Sequence, residues 1–510
     1  MQVVWFKRDL RVDDHWPLTK AASVGRCLWL YVYEPELIQS EEFDASHLQF
    51  INQSLQELDR RLRHWGGSLT FRVGNMPQVL SDLHSGHGMD AIWSHEETGN
   101  RLTYDRDLRV AEWAKRHGVS WQQIPQNGVV RRLRSRDGWS KQRDEFLKQP
   151  LAPVPADLVP VEGVDPGRLQ TAEDLCLTAT KKVGLQMGGE EAASETLQSF
   201  LTHRGQNYSG DMSSPVTATD SCSRLSTYLA WGCVSMKRVV HELTDRQGQL
   251  LELKRAGEPV GGWIKSLRSF ESRLSWHCHF MQKLEDEPSI EFRNMSRAYD
   301  GLREEEFDQR RFELWCAGQT GYPMVDACMR ALHRHSWINF RMRAMLVSFA
   351  SYHLWLHWRP TAVYLARHFL DFEPGIHFSQ FQMQSGTTGI NTVRIYSPIK
   401  QVKDQDPQGH FIRQYVPELA SVPDKHLAEP HKMTLAEQSK AGCWIGTQYP
   451  APVVDHLVAY KEARERIYAV RGKNEARLEA KQVVKKHGSR KRSRSRTGAS
   501  KRHSKKPNAS

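Results

Sequence analysis

The chain has 510 residues, of which 39% are hydrophobic and 25% charged. This exceeds what one hydrophobic core usually supports, so two or more domains are expected. No stretch approaches the roughly 18 uncharged apolar residues that span a bilayer, and the N-terminus reaches a charge at Lys7 before any apolar run develops. Eight cysteines occur without a C-x-x-C pair. These features predict an intracellular protein with reduced thiols, cytoplasmic or (in a eukaryote) nuclear, and no membrane partner.

The net charge of +12 is concentrated at one end of the chain. Residues 471–510 contain fifteen Lys or Arg and two Glu, a net charge of +13, so the rest of the chain is close to neutral. A segment with so few apolar residues cannot build a core, which predicts a basic disordered tail over 471–510. Two interpretations fit this tail, a solubilising extension and an electrostatic arm that binds nucleic acid.

Four short apolar runs near the N-terminus have the composition of strands. They are 2–6, 27–34, 68–73 and 91–94, and amphipathic helical patterns lie between them. Strands that alternate with helices at this spacing predict a parallel sheet with helices on its faces. We therefore expect an α/β domain over 1–128.

The following segment, 129–195, is rich in proline, glycine and charge, and it predicts a connection between domains. From 196 to 470 the pattern is helical, which predicts an all-α C-terminal domain. The long segments with a 3.6-residue period are 224–243, 263–284, 321–334 and 337–358. The stretch SPIKQVKDQDPQGHFIRQYVPEL at 397–419 has three prolines and no helical period, so we expect one shaped loop there.

The motifs of common nucleotide and metal enzymes are missing from the sequence. The α/β half has no G-x-G-x-x-G or Walker A sequence, and neither H-E-x-x-H nor G-x-S-x-G occurs. The clusters HCH at 277–279 and HRH at 333–335 hold histidines two residues apart on predicted helices, where side chains point apart. We therefore expect no metal site. A chain with sixteen tryptophans and none of these motifs favours a protein that encloses a large cofactor.

Three features of the helical half support an enclosed, anionic cofactor. Small hydroxyl residues in Cys222–Ser226 precede an apolar run; such helix starts present free N–H groups to a phosphate, although an ordinary helix cap looks the same. Arg341 and Arg343 interrupt an apolar stretch, where an unpaired charge is costly. Asp371 and Glu373 follow closely and supply acceptors, either for these arginines or for the N–H groups of a ligand.

Several stretches resemble the photolyase/cryptochrome family of blue-light flavoproteins. WFKRDLRVDDHWPL at 5–18 is similar to the family's opening strand and loop, and SRLSTYLAWGCVS to its flavin phosphate loop. TGYPMVDACMRAL and WINFRMR are similar to its flavin-cradling helices, and RIYSPIKQ with DPQGHFIRQYVPEL to its C-terminal signature. They occur in the family's order over about residues 1–470. The resemblance implies that 397–419 folds as a loop over the flavin domain.

The resemblance implies FAD as the cofactor, held in the helical domain. An Arg343–Asp371 pair is expected to bracket the isoalloxazine ring, with His377 facing the reactive nitrogen of that ring. The cofactor-binding residues are, by position, Tyr208, Cys222, Ser223, Arg224, Leu225, Ser226, His277, Arg343, Asp371, Phe372 and Glu373. An antenna pigment, methenyltetrahydrofolate or deazaflavin, is compatible with the resemblance. The stretch His95-Glu96-Glu97 lies where such pigments sit, or is a loop with surface charges.

The resemblance also implies UV-damaged DNA as the partner of a monomeric protein. Trp276 falls where the family stacks a tryptophan on a flipped-out pyrimidine dimer, and Arg341 where an arginine contacts DNA. Arg273 and Phe340 complete the expected DNA-binding set. The expected catalytic residues are Trp276, His377 and Trp358, the last at the middle position of an electron relay.

Four positions depart from the pattern of the family. Arg273 stands in place of a substrate-binding glutamate, His277 in place of a flavin-side arginine, Phe340 in place of an asparagine and Phe381 in place of the innermost relay tryptophan. Two functions remain open. One is a light-driven DNA photolyase that reverses UV-induced pyrimidine dimers by electron transfer from FAD, and the other is a cryptochrome-like photoreceptor that binds FAD without repair. A light-independent flavin electron-transfer protein is a third class.

Overall fold

A computed structural model describes residues 1–489, which begin with a five-stranded parallel sheet. The strands are β1 Gln2–Phe6, β2 Cys27–Tyr33, β3 Leu69–Val73, β4 Ala91–His95 and β5 Ser120–Ile124. The helices between them are α1 Trp16–Val24, α2 Pro35–Ile38, α3 Ala45–His64, α4 Met76–His87 and α5 Arg101–His117. The predicted α/β fold is confirmed, since the strands alternate with helices and all four strand pairings are parallel.

Strand β1 lies at the centre of the sheet, and its neighbours explain where a ligand site can form. The strand order is β3-β2-β1-β4-β5, so the direction of chain progression reverses between β1 and β4. Val3 and Val4 are fully buried, because helices cover both faces of this strand. In open α/β sheets, ligands bind in the crevice at the carboxyl ends of the strands where the order reverses. The segments that follow β1 and β4 therefore meet at this crevice.

Strand β5 is an addition to the four predicted strands. Its sequence, SWQQI, has two apolar residues, and none of its side chains is fully buried. Pairing with β4 creates the strand, in the register Ile92↔Trp121. The indole of Trp121 also donates a hydrogen bond to the Ser94 hydroxyl, at 3.1 Å. An edge strand tolerates polar residues because it is solvated on one side, so composition alone does not mark it.

The segment after the sheet packs back onto it. It contains α6 Trp139–Leu147 and then a long irregular stretch. The Cys27 N–H donates to the Val159 carbonyl at 2.8 Å, and the Phe71 N–H donates to the Pro166 carbonyl at 2.7 Å. The irregular stretch therefore satisfies backbone groups that border the sheet.

The remainder of the described chain is mostly helical, as predicted. Its helices are α7 Glu190–Thr202, α8 Tyr208–Asp211, α9 Ala218–Ser221, α10 Ser226–Ala230, α11 Met236–Arg255, α12 Trp263–Asp286, α13 Gln309–Ala317, α14 Pro323–His335, α15 Phe340–Ser348, α16 Trp358–His368, α17 Pro374–Ser385, α18 Pro398–Gln405, α19 His410–Tyr415, α20 Asp424–Leu427, α21 Leu435–Ala441, α22 His456–Gly472 and α23 Asn474–His487. Among residues 1–489, no helix combines the length and apolar character needed to cross a bilayer.

The predicted continuous helix over 337–358 is wrong, because the helix is interrupted. Helix α15 ends at Ser348, a turn of π-helix follows over Phe349–His353, and α16 begins only at Trp358. Trp355, between the two helices, has a φ of +56°, which no right-handed helix contains. Residues 344–356 are buried on every side, so the pattern of apolar residues does not reveal the break.

The predicted shaped loop over 397–419 is also corrected, since most of this segment is helical. Helix α18 begins with Pro398 after Ser397, whose hydroxyl accepts a hydrogen bond from the Lys400 N–H at 3.3 Å. The Asp406 carboxylate accepts one from the Ile412 N–H in α19, at 2.9 Å. Each helix has fewer than nine residues and ends at its own cap, which is why no sustained period is visible in the sequence.

The predicted disordered tail begins too early. Helix α22 runs to Gly472, and Asn474–His487 forms α23. The Glu479 carboxylate accepts hydrogen bonds from the Arg297 and Ala298 N–H groups, at 2.7 and 2.6 Å. The prediction of disorder is therefore wrong for residues 471–487. The rest of that prediction, over 490–510, lies outside the described residues.

Candidate functional site

A buried ion pair between α15 and the segment before α17 forms the centre of the site. The Arg343 guanidinium donates two parallel hydrogen bonds to Asp371, at 3.0 and 2.9 Å. Its Nε donates to the Ile338 carbonyl at 2.8 Å, and its plane lies 4.0 Å from the Phe369 ring centroid. Burial raises the pKa of Asp371, but the Arg343 charge outweighs this and leaves the pKa below its ordinary value. The pair that the resemblance implied is therefore present, and its role at the isoalloxazine ring stays a prediction.

The segment that carries Asp371 and Glu373 is held by donors from other parts of the chain. The imidazole of His47 donates to the Phe369 carbonyl at 2.9 Å. The indole of Trp231 donates to the Leu370 carbonyl, and the Arg8 guanidinium to the Phe372 carbonyl, both at 2.9 Å. These donors fix the backbone on both sides of Asp371. Sequence reasoning missed Arg8, although it lies in the WFKRDLR stretch that carried the resemblance.

The Cys222–Ser226 segment has the shape of an anion cradle. Arg204 donates hydrogen bonds to the carbonyls of Asp220 and Cys222, at 3.1 and 2.6 Å. The φ angle is +61° at Arg224 and −87° at Leu225, and successive residues of opposite hand form the concave nests that bind anions. Arg204 also donates to the Ser223 carbonyl at 3.3 Å, which fixes the start of this segment.

Positive charge exceeds negative charge around this cradle. The Arg224 guanidinium stacks 3.8 Å from the Trp337 ring centroid. Burial lowers the pKa of Arg224 to about 10, against the attraction of the Asp371 carboxylate. Arg204 and Arg343 lie near Arg224 and oppose its charge, so three guanidiniums are grouped here with one buried acid, Asp371. This surplus suits the pyrophosphate of a dinucleotide.

A second ion pair joins α12 to the same segment. His277 Nε2 lies 3.0 Å from the Glu373 carboxylate. Burial alone lowers the pKa of His277, but Glu373 outweighs it and raises the pKa to about 10. The His277 Nδ1 is buried and has no hydrogen-bond partner among residues 1–489. An imidazolium at neutral pH thus presents one unused N–H donor, which fits an acceptor atom of a bound cofactor.

His377 is neutral and held in one tautomer. Its Nε2 donates to the Ala362 carbonyl at 2.8 Å, and burial lowers its pKa to about 4. The Nδ1 lone pair is therefore an acceptor. The ring lies 4.5 Å from Phe381 and 5.1 Å from Phe372, between centroids. That His377 faces a flavin nitrogen stays a prediction.

Trp358 lies deeper in the helical core. It is fully buried, and its indole donates to the Asn294 side chain at 2.7 Å. Its nearest aromatic neighbour toward the site is Phe378, at 6.4 Å between centroids. The relay role of Trp358 stays a prediction.

The predicted DNA-binding residues on α12 and α15 come together at the surface. The Arg273 guanidinium lies 4.6 Å from the Trp276 ring centroid and 5.9 Å from that of Phe340. The two rings are 37% and 46% exposed. Arg273 also lies beside the Tyr208 hydroxyl, whose pKa is raised to about 12 by burial. Arg341, the neighbour of Phe340, has a buried Nε without a hydrogen-bond partner in the described chain.

The histidine clusters do not form metal sites among the described residues. His277 pairs with Glu373, whereas His279 contacts Arg136. His333 contacts the Tyr364 hydroxyl, whereas His335 contacts the Val183 carbonyl. The side chains of each cluster therefore point to separate partners.

Asp9, His15 and His95 place three potential metal ligands together, all of them buried. The imidazoles lie 3.0 and 2.8 Å from the same Asp9 oxygen. The Leu18 N–H donates to His15 Nδ1 at 3.1 Å, so the other nitrogen of His15 carries the proton and donates to Asp9. In this arrangement the three side chains form a hydrogen-bonded triad. His95 consequently faces Asp9, while Glu96 and Glu97 line cavities.

A cavity of about 110 Å³ opens at the carboxyl ends of β1 and β2. Aromatic rings of Trp5, Tyr31, Trp231 and Phe372 line it together with charged residues. Arg106, which sequence reasoning missed, pairs there with Glu34 and Glu97, at 3.0 and 2.6 Å. A second cavity of about 40 Å³ lies beside it and reaches His277 and Glu373. Arg8 lines both cavities.

Two family models match the chain. They are DNA photolyase, over residues 2–140, and the FAD binding domain of DNA photolyase, over residues 270–469. A cryptochrome DASH of Gloeobacter violaceus is 30% identical over 506 residues, covering 91% of this chain and 95% of the relative. The chain belongs to the photolyase and cryptochrome family. Its helical domain is accordingly an FAD-binding domain.

The relatives are divided between two names. A deoxyribodipyrimidine photo-lyase of Alkalihalophilus pseudofirmus is 28% identical over 496 residues, covering 91% of this chain and 97% of the relative. The solved structure of a Synechocystis cryptochrome superposes with a TM-score of 0.80 at 24% identity, covering 91% of this chain and 98% of that one. The solved structure supports the fold. Because the relatives carry both names, the choice between repair and photoreception depends on the site.

Replacing Arg343 by alanine is expected to yield folded protein that has lost most of its FAD. The substitution leaves Asp371 as an unpaired buried carboxylate, so the pair expected to hold the cofactor is gone. The ratio of flavin to protein absorbance after purification measures the loss. Arg367→Ala, which removes an exposed arginine from α16, is the control and should keep wild-type flavin. Wild-type flavin content in Arg343→Ala would contradict the role of the pair.

The His277–Glu373 pair predicts a pH dependence of stability. The pKa of His277 is about 10 in the folded protein, above roughly 6.5 for an unfolded histidine. Its stabilisation is therefore complete below the unfolded pKa and lost as pH rises through the folded pKa. Between about pH 7 and about pH 10, the thermal midpoint of wild type should fall further than that of His277→Gln. Equal falls in the two proteins would show that the pair does not titrate as described.

Proposed function

We propose that this protein is a light-driven DNA photolyase that reverses UV-induced pyrimidine dimers with FAD as its cofactor. The observation that supports this best is the arrangement of consecutive residues on α12. Trp276 is exposed beside Arg273, whereas His277 turns inward to Glu373. Successive residues on a helix diverge by about 100°. Helix α12 thus presents an exposed aromatic and cationic surface (Arg273 and Trp276, with Phe340 of α15; called the outer cleft below) on a different side from the inner charged site.

The inner site has the groups that FAD requires. Arg343 and Asp371 would bracket its ring system, and the cradle at Cys222–Ser226 would hold its phosphates. His277 would donate its unused Nδ1–H to the cofactor. When bound, FAD supplies the light absorption and the electron that the repair reaction needs.

The outer cleft supplies what an extruded lesion requires. A base that leaves the DNA stack loses stacking energy, which an aromatic platform returns. Trp276 provides that platform in the proposed complex, and the cations Arg273 and Arg341 provide attraction for DNA. UV-damaged DNA is therefore the proposed partner.

A cryptochrome-like photoreceptor that binds FAD without repair is the second candidate. Two features of the outer cleft favour it: Arg273 and Phe340 occupy positions where the family has a glutamate and an asparagine. Relatives named cryptochrome DASH and relatives named photo-lyase are similarly distant from this chain. The inner site is common to both candidates, so only activity on a lesion separates them.

The cavity at the carboxyl ends of β1 and β2 is the proposed site of an antenna pigment. It borders the reversal of strand order, since Glu97 and Arg106, which follow β4, also line it, and aromatic rings form its walls. Phe372, whose carbonyl belongs to the segment that carries Asp371, lines the same cavity. A planar pigment there would lie next to the flavin site. The absorption spectrum of the purified protein distinguishes a folate from a deazaflavin.

Illumination of the reduced protein with an oligonucleotide that contains one cyclobutane thymine dimer is expected to restore the two thymines. Trp276→Ala should lose this activity and keep its flavin, because only the stacking platform is removed. Trp444→Ala is the matched control, since Trp444 is another exposed tryptophan (40%) outside α12 and α15. Restored thymines are counted by chromatography. If wild type reverses neither cyclobutane nor (6-4) lesions while its flavin is reduced, the photoreceptor proposal replaces repair.

Removal of 490–510 is expected to weaken the salt dependence of DNA binding. This segment contains nine Lys or Arg, and each neutralised phosphate contributes roughly 0.9 to the slope of log affinity against log salt on duplex DNA. The truncation keeps α23, whose Glu479 is bonded to the folded protein. A protein with a Gly/Ser segment of equal length is the control, and flavin content should be unchanged in both. An unchanged slope would show that the segment does not touch DNA.

A further inference from the structure

One cation lies between two exposed aromatic rings in the outer cleft. The Arg273 guanidinium is 4.6 Å from the Trp276 ring centroid and 5.9 Å from that of Phe340. Both rings keep more than a third of their surface exposed. A planar ligand that stacks on either ring therefore meets this guanidinium at its edge or on its face.

The hydrogen-bonding capacity of Arg273 is one-sided. A guanidinium carries five N–H donors and no acceptor, and it keeps its charge at all relevant pH values. In the part of the chain that the structure describes, Arg273 forms no ion pair with a carboxylate, so its donors are not committed to an acid. Phe340 adds no polar atom to the cleft. The charged group in contact with both rings is thus a pure donor.

The contacts that Arg273 makes without a ligand can be exchanged for contacts with one. An exposed cation–π contact is weaker than the stacking of a base on tryptophan. The Tyr208 hydroxyl beside it is neutral at physiological pH, because burial raises its pKa to about 12. A base that enters the cleft can therefore stack on Trp276 while the Arg273 guanidinium stays in contact with the same ring. It can also displace the guanidinium from the ring toward the edge of the base.

We propose that Arg273 recognises the acceptor edge of the base that stacks on Trp276, namely the O2 and O4 carbonyl oxygens of a pyrimidine. This inference rests on the proposed function, since it takes DNA as the ligand. A carboxylate at this position would accept the N3–H of the pyrimidine, whereas a guanidinium repels that donor and bonds the carbonyls that flank it. The lesion is then selected by its carbonyl oxygens, and its N3–H contributes nothing to affinity.

Methylation of N3 distinguishes the two modes of recognition. It removes the donor and keeps both carbonyl oxygens. The FAD-loaded protein is titrated in darkness with an oligonucleotide that contains one thymine dimer, and with the same oligonucleotide methylated at both N3 atoms. Fluorescence anisotropy gives each affinity, and both measurements are repeated with Arg273→Glu. The methyl group adds the same bulk in both proteins. Its steric effect therefore cancels when the loss of affinity in one protein is divided by the loss in the other.

The penalty for N3 methylation is expected to be at least tenfold larger in Arg273→Glu than in wild type. A role of Arg273 that is only structural would leave the ratio near one. Equal penalties, or a larger penalty in wild type, would overturn the inference. If Arg273→Glu binds neither oligonucleotide, Arg273→Gln replaces it, because its amide oxygen also accepts the N3–H. Flavin absorbance and thermal midpoints confirm that each variant is folded.

Failure of the proposed function gives a different result. If wild type binds the dimer no better than undamaged DNA of the same sequence, the lesion-directed function is overturned together with this inference. If wild type prefers the dimer but loses affinity tenfold or more on N3 methylation, and Arg273→Glu loses the same factor, only the role of Arg273 is overturned.

Discussion

The site depends on hydrogen bonds that hold the backbone of residues 369–373 from outside. Three carbonyls of this segment accept from His47, Trp231 and Arg8. His47 and Arg8 belong to the α/β part of the chain. A buried carbonyl without a donor is costly, so these bonds select one conformation of the segment. Asp371 and Glu373 consequently stand at fixed positions, and each holds a cation from a different helix. The α/β domain thus shapes this site from outside, and Arg8 is a charged residue that it contributes near Glu373.

Buried charge explains why the site is rigid and where it can respond to pH. Two guanidinium nitrogens of Arg343 are bonded to the Asp371 carboxylate. Moving either side chain away would leave the other charge without its partner inside the protein. His277 and Glu373 form the second pair, but an imidazolium loses its charge at high pH and a guanidinium does not. The substitution of histidine for the arginine of the family therefore keeps the charge near neutral pH and adds a titration that the family pattern lacks.

The fold class was predictable from the residues, because apolar runs with regular spacing indicated four strands. The Arg343–Asp371 pair was implied by the resemblance to the family. The residues alone required an acceptor for buried arginines but left open whether Asp371 serves them or a ligand. The fifth strand was missed because pairing with β4, and not its composition, makes SWQQI a strand.

The remaining errors have a common cause. The break before Trp358 is invisible because every side of that segment is buried. Helices α18 and α19 are too short to show a period, and α23 is held by Glu479 through contacts with a distant segment. Tertiary contacts that the local sequence does not encode decide each of these cases.

The departures from the family pattern fall on two sides of α12 and differ in physical character. On the inner side, His277 replaces one cation by another, and its partner Glu373 is unchanged, so the electrostatic environment offered to FAD is preserved near neutral pH. On the outer side, Arg273 replaces an anion by a cation, and Phe340 replaces an amide by a ring without polar atoms. The first change alters how the site titrates, and the second, in the proposed complex with DNA, alters which atoms of a base can be bonded. The charge of the family pattern is thus kept on the inner side of α12 and inverted on the outer side, so the difference lies at the surface that the proposed DNA ligand would contact.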